Sequence, residues 1–201
     1  MKISLIVLFW VIQMSGFPQT ASDETPGISS MKYGWKAPAE KRGEQILSGT
    51  ILKGSAHDFE YLAVDACSIL PSKDKVTLDV PRDEEYLFII KSGTLIISFR
   101  DSTWSIGPGS IALLLPGEKF RLQAGNSSSA SYYLMRYRSK DPADIGRGRA
   151  SGGSFVKDWD KLPFHAHDRG GVRPYFERAT AMSRRFEMHV TTLKPGLKSH
   201  D

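Results

Sequence analysis

The chain has 201 residues, of which 40% are apolar and 24% charged, and its 27 basic and 22 acidic side chains give a net charge of +5. That length allows one well-buried domain and part of another, and excludes two full domains. The basic residues are scattered without interleaved aromatics, which excludes a nucleic-acid-binding stripe, and a single cysteine, Cys67, excludes an internal disulfide.

In chain order, Met1-Lys2, the apolar run Ile3 to Ile12, and then Gly16, Pro18 and Ala21 have the charged, apolar and small-residue order of a secretory signal peptide. The run is too short to span a bilayer as a helix. Residues 1–21 are therefore read as a leader and the rest as an exported protein, secreted or periplasmic, with no membrane attachment once the leader is removed. Residues 22–44 are polar and broken by Pro26, Gly27, Pro38 and Gly43, so they form an extended arm with Tyr33 and Trp35 as anchors.

From 45 to 140 short apolar runs alternate with turn residues, the pattern of an all-β sandwich or barrel. The predicted strands are Tyr61 to Leu70, Lys75 to Val80, Tyr86 to Lys91, Thr94 to Phe99, Ser102 to Ile106, Ile111 to Leu115, Lys119 to Ala124 and Ser131 to Tyr137. Ser92-Gly93, Gly107-Pro108-Gly109, Pro116-Gly117 and Gly125-Asn126 supply the turns between several of them. Cys67 falls within an alternating strand, where it reads as a small buried hydrophobe. Asn126-Ser127-Ser128 fits a glycosylation acceptor but reads more simply as a hairpin loop.

Residues 141–183 are rich in glycine and charge and read as an irregular connector. Within them Gly146-Arg147-Gly148-Arg149 lacks the Lys-Ser or Lys-Thr ending of a phosphate loop. His165-Ala166-His167-Asp168 has the spacing of a metal pair but no third ligand nearby. Alternation resumes from Arg184 to Leu193, and this last strand repeats an earlier one. Leu62, Val64, Ala66, Ile69 and Pro71 match Phe186, Met188, Val190, Leu193 and Pro195 at a constant offset of 124 residues. A fixed offset of that length marks a duplicated domain, so 184–201 is expected to open a second unit. Without that unit its apolar edge would stand unpaired, and removing 179–201 is expected to improve solubility.

The segments Glu85-Tyr86-Leu87-Phe88-Ile89-Ile90-Lys91-Ser92-Gly93-Thr94-Leu95 and Gly107-Pro108-Gly109-Ser110-Ile111-Ala112-Leu113-Leu114-Leu115-Pro116-Gly117-Glu118 resemble the cupin superfamily, whose members are jelly-roll barrels. With the 124-residue echo, the resemblance implies the amino-terminal part of a bicupin, most similar to those grouped with the ureidoglycine aminohydrolases. The implied fold is all-β: a cupin-type jelly-roll barrel over 45–140, an irregular connector, and the first strand of a second, truncated barrel.

Metal-binding cupins carry His-x-His, a Glu seven residues before the turn glycine, and a further His after the second Pro-x-Gly. Here Asp79 and Pro81 stand at the two histidine positions, Tyr86 at the glutamate and Phe120 at the last histidine. These four residues do not make a metal site. Glu84 and Glu85 lie one or two positions early, and a shift of one turns a strand side chain to the opposite face. The resemblance thus implies no cofactor within this chain and a divalent metal, such as manganese, in a missing second barrel, just beyond the flanking His200.

Tyr86, Phe120 and Arg136 face the lumen in this phase, either as packing or as the lining of a small pocket where Arg136 meets an anion. No Ser, His and acid arrangement is specific enough to assign catalytic residues. Two functions follow from the resemblance. One is the metal-free half of an exported, metal-dependent bicupin enzyme acting on a small polar metabolite, without catalysis in these residues. The other is a non-catalytic module that is structural or binds a small molecule. Either is compatible with a homodimer.

Overall fold

The computed structural model describes residues 26–125 and 128–198. The leader, Asn126 and Ser127 of the acceptor sequence, and His200 lie outside the described residues.

Every strand expected between 59 and 139 forms, and two more precede them. Strands β1 (Glu40–Arg42) and β2 (Ile46–Gly54) lead into β3 (Phe59–Ile69), β4 (Val76–Asp79), β5 (Glu85–Ser92) and β6 (Leu95–Phe99). The chain then returns through β7 (Ser102–Ile106), β8 (Ile111–Leu114), β9 (Lys119–Ala124) and β10 (Ala130–Ser139). The return pairs with the outward path, antiparallel throughout: β7 with β6, β8 with β5, β9 with β4 and β10 with β3. This is one long hairpin folded over on itself. Pairing of β10 with β5 and of β9 with β6 holds the fold as two facing sheets. The smaller sheet runs β4-β9-β6-β7, and the larger contains β3-β10-β5-β8. That order is a jelly roll, so the chain adopts the expected all-β, cupin-type fold.

Alternation along the strands sends one set of side chains between the sheets. Cys67, Phe88, Ile97, Phe120, Tyr132 and Leu134 belong to this inner cluster. Strand β8 is buried on both faces, with Ala112 and Leu114 in the inner cluster and Ile111 and Leu113 in an outer one. A strand covered on both sides reads as an unbroken apolar run, as Ile111-Ala112-Leu113-Leu114 does. Between β5 and β6, Gly93 has φ 73°, and a Cβ there would lie 2.5 Å from the Ser129 carbonyl oxygen. Only glycine fits such a turn.

Residues 141–183 are more regular than expected. They contain α1 (Ile145–Ala150), β11 (Phe155–Lys157), a 3-10 turn at Trp159–Lys161, β12 (His165–His167) and β13 (Gly170–Arg178). Strand β11 extends the larger sheet beside β8, while β12, β13 and β14 (Phe186–Leu193) make a separate three-stranded sheet. Strand β14 is the one that repeats β3 in sequence. Its Phe186, Met188 and Val190 pack, together with Leu162, Tyr175 and Met182, around Leu87, Ile111, Leu113 and Tyr137 of the larger sheet. The expected gain in solubility on removing 179–201 is therefore corrected: the apolar side of β14 covers the jelly roll, and deletion would uncover both surfaces.

In the arm, Trp35 packs edge-on against Tyr133 with ring centroids 4.9 Å apart, and the Lys91 ammonium stands 5.0 Å above the Trp35 ring. The other expected anchor, Tyr33, is at the surface and donates its hydroxyl hydrogen to the Ser29 carbonyl. Among the described residues no helix is long and apolar enough to cross a membrane.

Candidate ligand-binding site

The inner cluster does not fill the space between the sheets. A cavity of about 480 Å³ remains, within the ~300–1,000 Å³ range of small-molecule sites. Its wall is formed by Ile46 of β2, Cys67 of β3, Val76 and Leu78 of β4, Tyr86 and Phe88 of β5, Phe120 of β9, and Tyr132 and Leu134 of β10. Four rings make up one side. Phe88 lies 5.6 Å from Phe120 and 5.5 Å from Tyr132, and Tyr86 lies 6.5 Å from both Phe88 and Phe120. The edge-to-face angles among Tyr86, Phe88 and Phe120 set a rigid apolar surface rather than a stack.

Burial fixes the protonation of the groups in this wall. It pushes the Cys67 thiol up to about 12, an effect that the nearby Asp65 carboxylate reinforces. Burial raises Tyr86 to about 12 as well, and Tyr132 well above its ordinary value. The lumen therefore presents neutral phenols and a neutral, unreactive thiol at physiological pH.

Charge enters only at the solvent-facing end, where the exposed residues Arg42, Gly43 and Asp79 complete the lining. Among the described residues neither Arg42 nor Asp79 forms an ion pair or a side-chain hydrogen bond. Arg136 is placed differently. Its guanidinium lies against Asp65, with Nη2 at 2.9 Å and Nε at 3.0 Å from Oδ2, and the Thr50 hydroxyl donates to Oδ1 at 3.0 Å. The side chains of Arg136 and Asp65 are only 16% and 3% exposed. Asp65 thus takes up the charge that the sequence had offered to a ligand, and Arg136 is not part of the lining. It supports the wall from behind, beside the Tyr86 phenol. Tyr86 and Phe120 do line the cavity. The residues that sequence reasoning missed are Arg42, placed in the polar arm, and Asp65, hidden in a strand.

Glu85, the neighbour of Tyr86, points the other way. It is fully buried in the outer face of the larger sheet, where its Oε2 accepts the Met182 N–H at 2.9 Å. Burial pushes its carboxyl up to about 7, opposed by that hydrogen bond and by Thr180, Tyr137 and Arg178. Glu84 is half-buried, and burial raises its carboxyl while Arg136 opposes the shift.

At the four positions where the cupin pattern would place metal ligands, Tyr86 and Phe120 fill the lumen with rings, Pro81 offers no side-chain donor, and Asp79 lies at the rim. These residues do not fit a metal. No three His, Cys, Asp or Glu side chains come together in a metal-binding arrangement among the described residues, His165 and His167 included. Those two histidines sit exposed on β12.

A larger cleft of about 760 Å³ lies outside the jelly roll, between β7, β11 and the three-stranded sheet. Most of its charges already answer one another. Glu177 and Glu187 both pair with Arg185, His189 meets Glu187, and Lys161 meets Asp158. The lumen is the better-built site because it is a cavity within the fold whose two charged lining residues, Arg42 and Asp79, are not taken up by ion pairs among the described residues.

Residues 81–168 match the family of AraC-like ligand binding domains, a stretch running from β5 to β12. No curated protein sequence matches the chain. Among solved structures, a Pseudomonas aeruginosa protein described as glyoxylate induced is 12% identical with a TM-score of 0.48, over 66% of this chain and 49% of its own. The chain thus spans about half the length of that protein. The plu4264 protein of Photorhabdus luminescens is 16% identical with a TM-score of 0.43, over 55% of this chain and 87% of its own. The Cnp3 cupin domain of Schizosaccharomyces pombe is 12% identical with a TM-score of 0.40, over 54% and 68%. Over residues 81–168 the chain is thus similar to AraC-like ligand binding domains.

Proposed function

We propose that this protein is a small-ligand-binding cupin module that holds its ligand between the two sheets without turnover. The observation that carries this reading is the lumen cavity, largely apolar and uncharged on its walls and charged only at its rim. The match to AraC-like ligand binding domains supports it. A neutral apolar probe, N-phenyl-1-naphthylamine, tests it by fluorescence. Enhancement is expected with the wild type and loss with Val76→Trp, which fills the cavity from edge strand β4. Equal enhancement with both proteins would place the probe elsewhere and sink the reading.

A narrower reading makes the chain the metal-free half of an exported bicupin enzyme, with export directed by residues 1–21 and metal chemistry in a following barrel. It is supported by the 124-residue echo, since both copies, β3 and β14, are strands. Sequencing the coding DNA past the Asp201 codon tests it. An open frame continuing into His-x-His and a Glu and Gly pattern sustains it, and a stop codon removes it.

A further inference from the structure

The solvent-facing end of the lumen carries one guanidinium and one carboxylate, Arg42 and Asp79, neither paired with another side chain among the described residues. They come from different elements. Arg42 ends β1, which pairs with β2, and Asp79 ends β4, which pairs with β9. Below them the wall is apolar and aromatic, with a neutral thiol and two neutral phenols as its polar side-chain groups. A polyhydroxylated ligand would lose most of its hydrogen bonds to water on entering such a wall, at a cost for each hydroxyl left unpaired. A simple monoanion would satisfy Arg42 and leave Asp79 facing it with like charge. A simple monocation would do the reverse. A molecule with both charges at one end and an apolar body at the other satisfies the whole lining.

We propose that the lumen recognises an α-amino acid with an apolar side chain, its carboxylate on Arg42, its ammonium on Asp79 and its side chain among Phe88, Phe120 and Tyr132. This rests on the lumen being the binding site and names the ligand class. Arginine suits the first contact because its planar fork donates two parallel hydrogen bonds to a carboxylate. The rim is exposed, so the charges select among ligands while the apolar wall supplies most of the affinity.

Calorimetric titration of the full 201-residue chain with four probes of one shape tests this: L-phenylalanine, 3-phenylpropanoate, phenethylamine and 2-phenylethanol. L-phenylalanine is expected to bind at least about tenfold more tightly than each of the others. Arg42→Gln is expected to reduce it to the level of phenethylamine, and Asp79→Asn to that of 3-phenylpropanoate. Both variants change exposed side chains, and circular dichroism confirms their fold. Equal binding of L-phenylalanine and a singly charged or neutral probe overturns the amino-acid assignment. If Val76→Trp still abolishes that binding, the lumen reading stands. Absence of binding by all four, in protein that takes up the naphthylamine probe, also overturns the assignment alone. Failure of the naphthylamine probe to enter overturns both.

Discussion

The two faces of the larger sheet bury different things. The inner face carries the rings of Tyr86, Phe88 and Tyr132 and leaves a cavity of about 480 Å³. The outer face carries Glu85, Leu87, Ile111, Leu113 and Tyr137 and is covered by the three-stranded sheet and the Met182 turn. Consecutive residues of one strand, Glu85 and Tyr86, thus meet opposite demands. On the outer face the cover is supplied by the chain itself: Glu85 Oε2 accepts the Met182 N–H, although the buried Glu85 Oε1 and Tyr137 hydroxyl have no hydrogen-bond partner among the described residues. On the inner face it is the packing that stops short, which leaves a place for another molecule.

If the outer face is structural, removing its cover should have the largest effect. Deleting 179–201 takes away the buried Met182, worth roughly 1.5–3 kcal/mol, and the partly buried Phe186, Met188 and Val190, each worth part of that. The total reaches the lower end of a domain's net stability of about 5–15 kcal/mol, so a large fall in melting temperature is expected. A truncated chain that melts like the full one would dissolve the contrast between the faces.

Next in size is the pair behind the lumen wall. Asp65→Ala leaves Arg136 nearly buried and unpaired, at an expected cost of about 3–5 kcal/mol in urea denaturation. Adding Arg136→Met should recover most of that loss. No recovery would mean that Asp65 acts through Thr50 rather than through the ion pair.

Glu85 sharpens the comparison through pH. Its carboxyl titrates near 7 in the folded chain against an ordinary 4.5. Between these values the folded state holds a proton that the unfolded state has released. The contribution of Glu85 to stability is therefore greatest below about pH 4.5 and falls as pH rises toward 7, by about 3 kcal/mol at ~1.4 per unit. Urea midpoints of wild type and Glu85→Gln should diverge across that window, with the variant favoured at pH 8. A difference between them that stays constant with pH would show that Glu85 is ionised throughout.

The smallest expected effect is at the arm. Trp35→Ala removes the edge contact with Tyr133 and the Lys91 contact, an expected loss of about 1 kcal/mol, read as a small shift in melting temperature. A larger loss would make the arm part of the core.

The eight jelly-roll strands were legible because short apolar runs, alternating in most and unbroken in β8, are punctuated by glycine and proline turns. Strand β2 was not, since Gly49, Thr50 and Lys53 break its alternation and its register slips between Thr50 and Leu52. Strand β13 was obscured by Gly170, Gly171 and Pro174, with Pro174 at a register shift where proline is tolerated. In the site, Tyr86 and Phe120 were found by counting phase along strands. Arg42 was missed because β1 is three exposed residues long, too short for any period. The Asp65 partner of Arg136 lies 71 residues away in sequence, and no local pattern announces it.

Strand β8 has a further consequence for motion. All four of its residues are fully buried, and it is hydrogen-bonded to β5 on one side and β11 on the other. Its amides meet solvent only when the whole fold opens, so they should be the slowest in the chain to exchange with deuterium. The exchange rate of Leu113 then gives the free energy of global unfolding without denaturant.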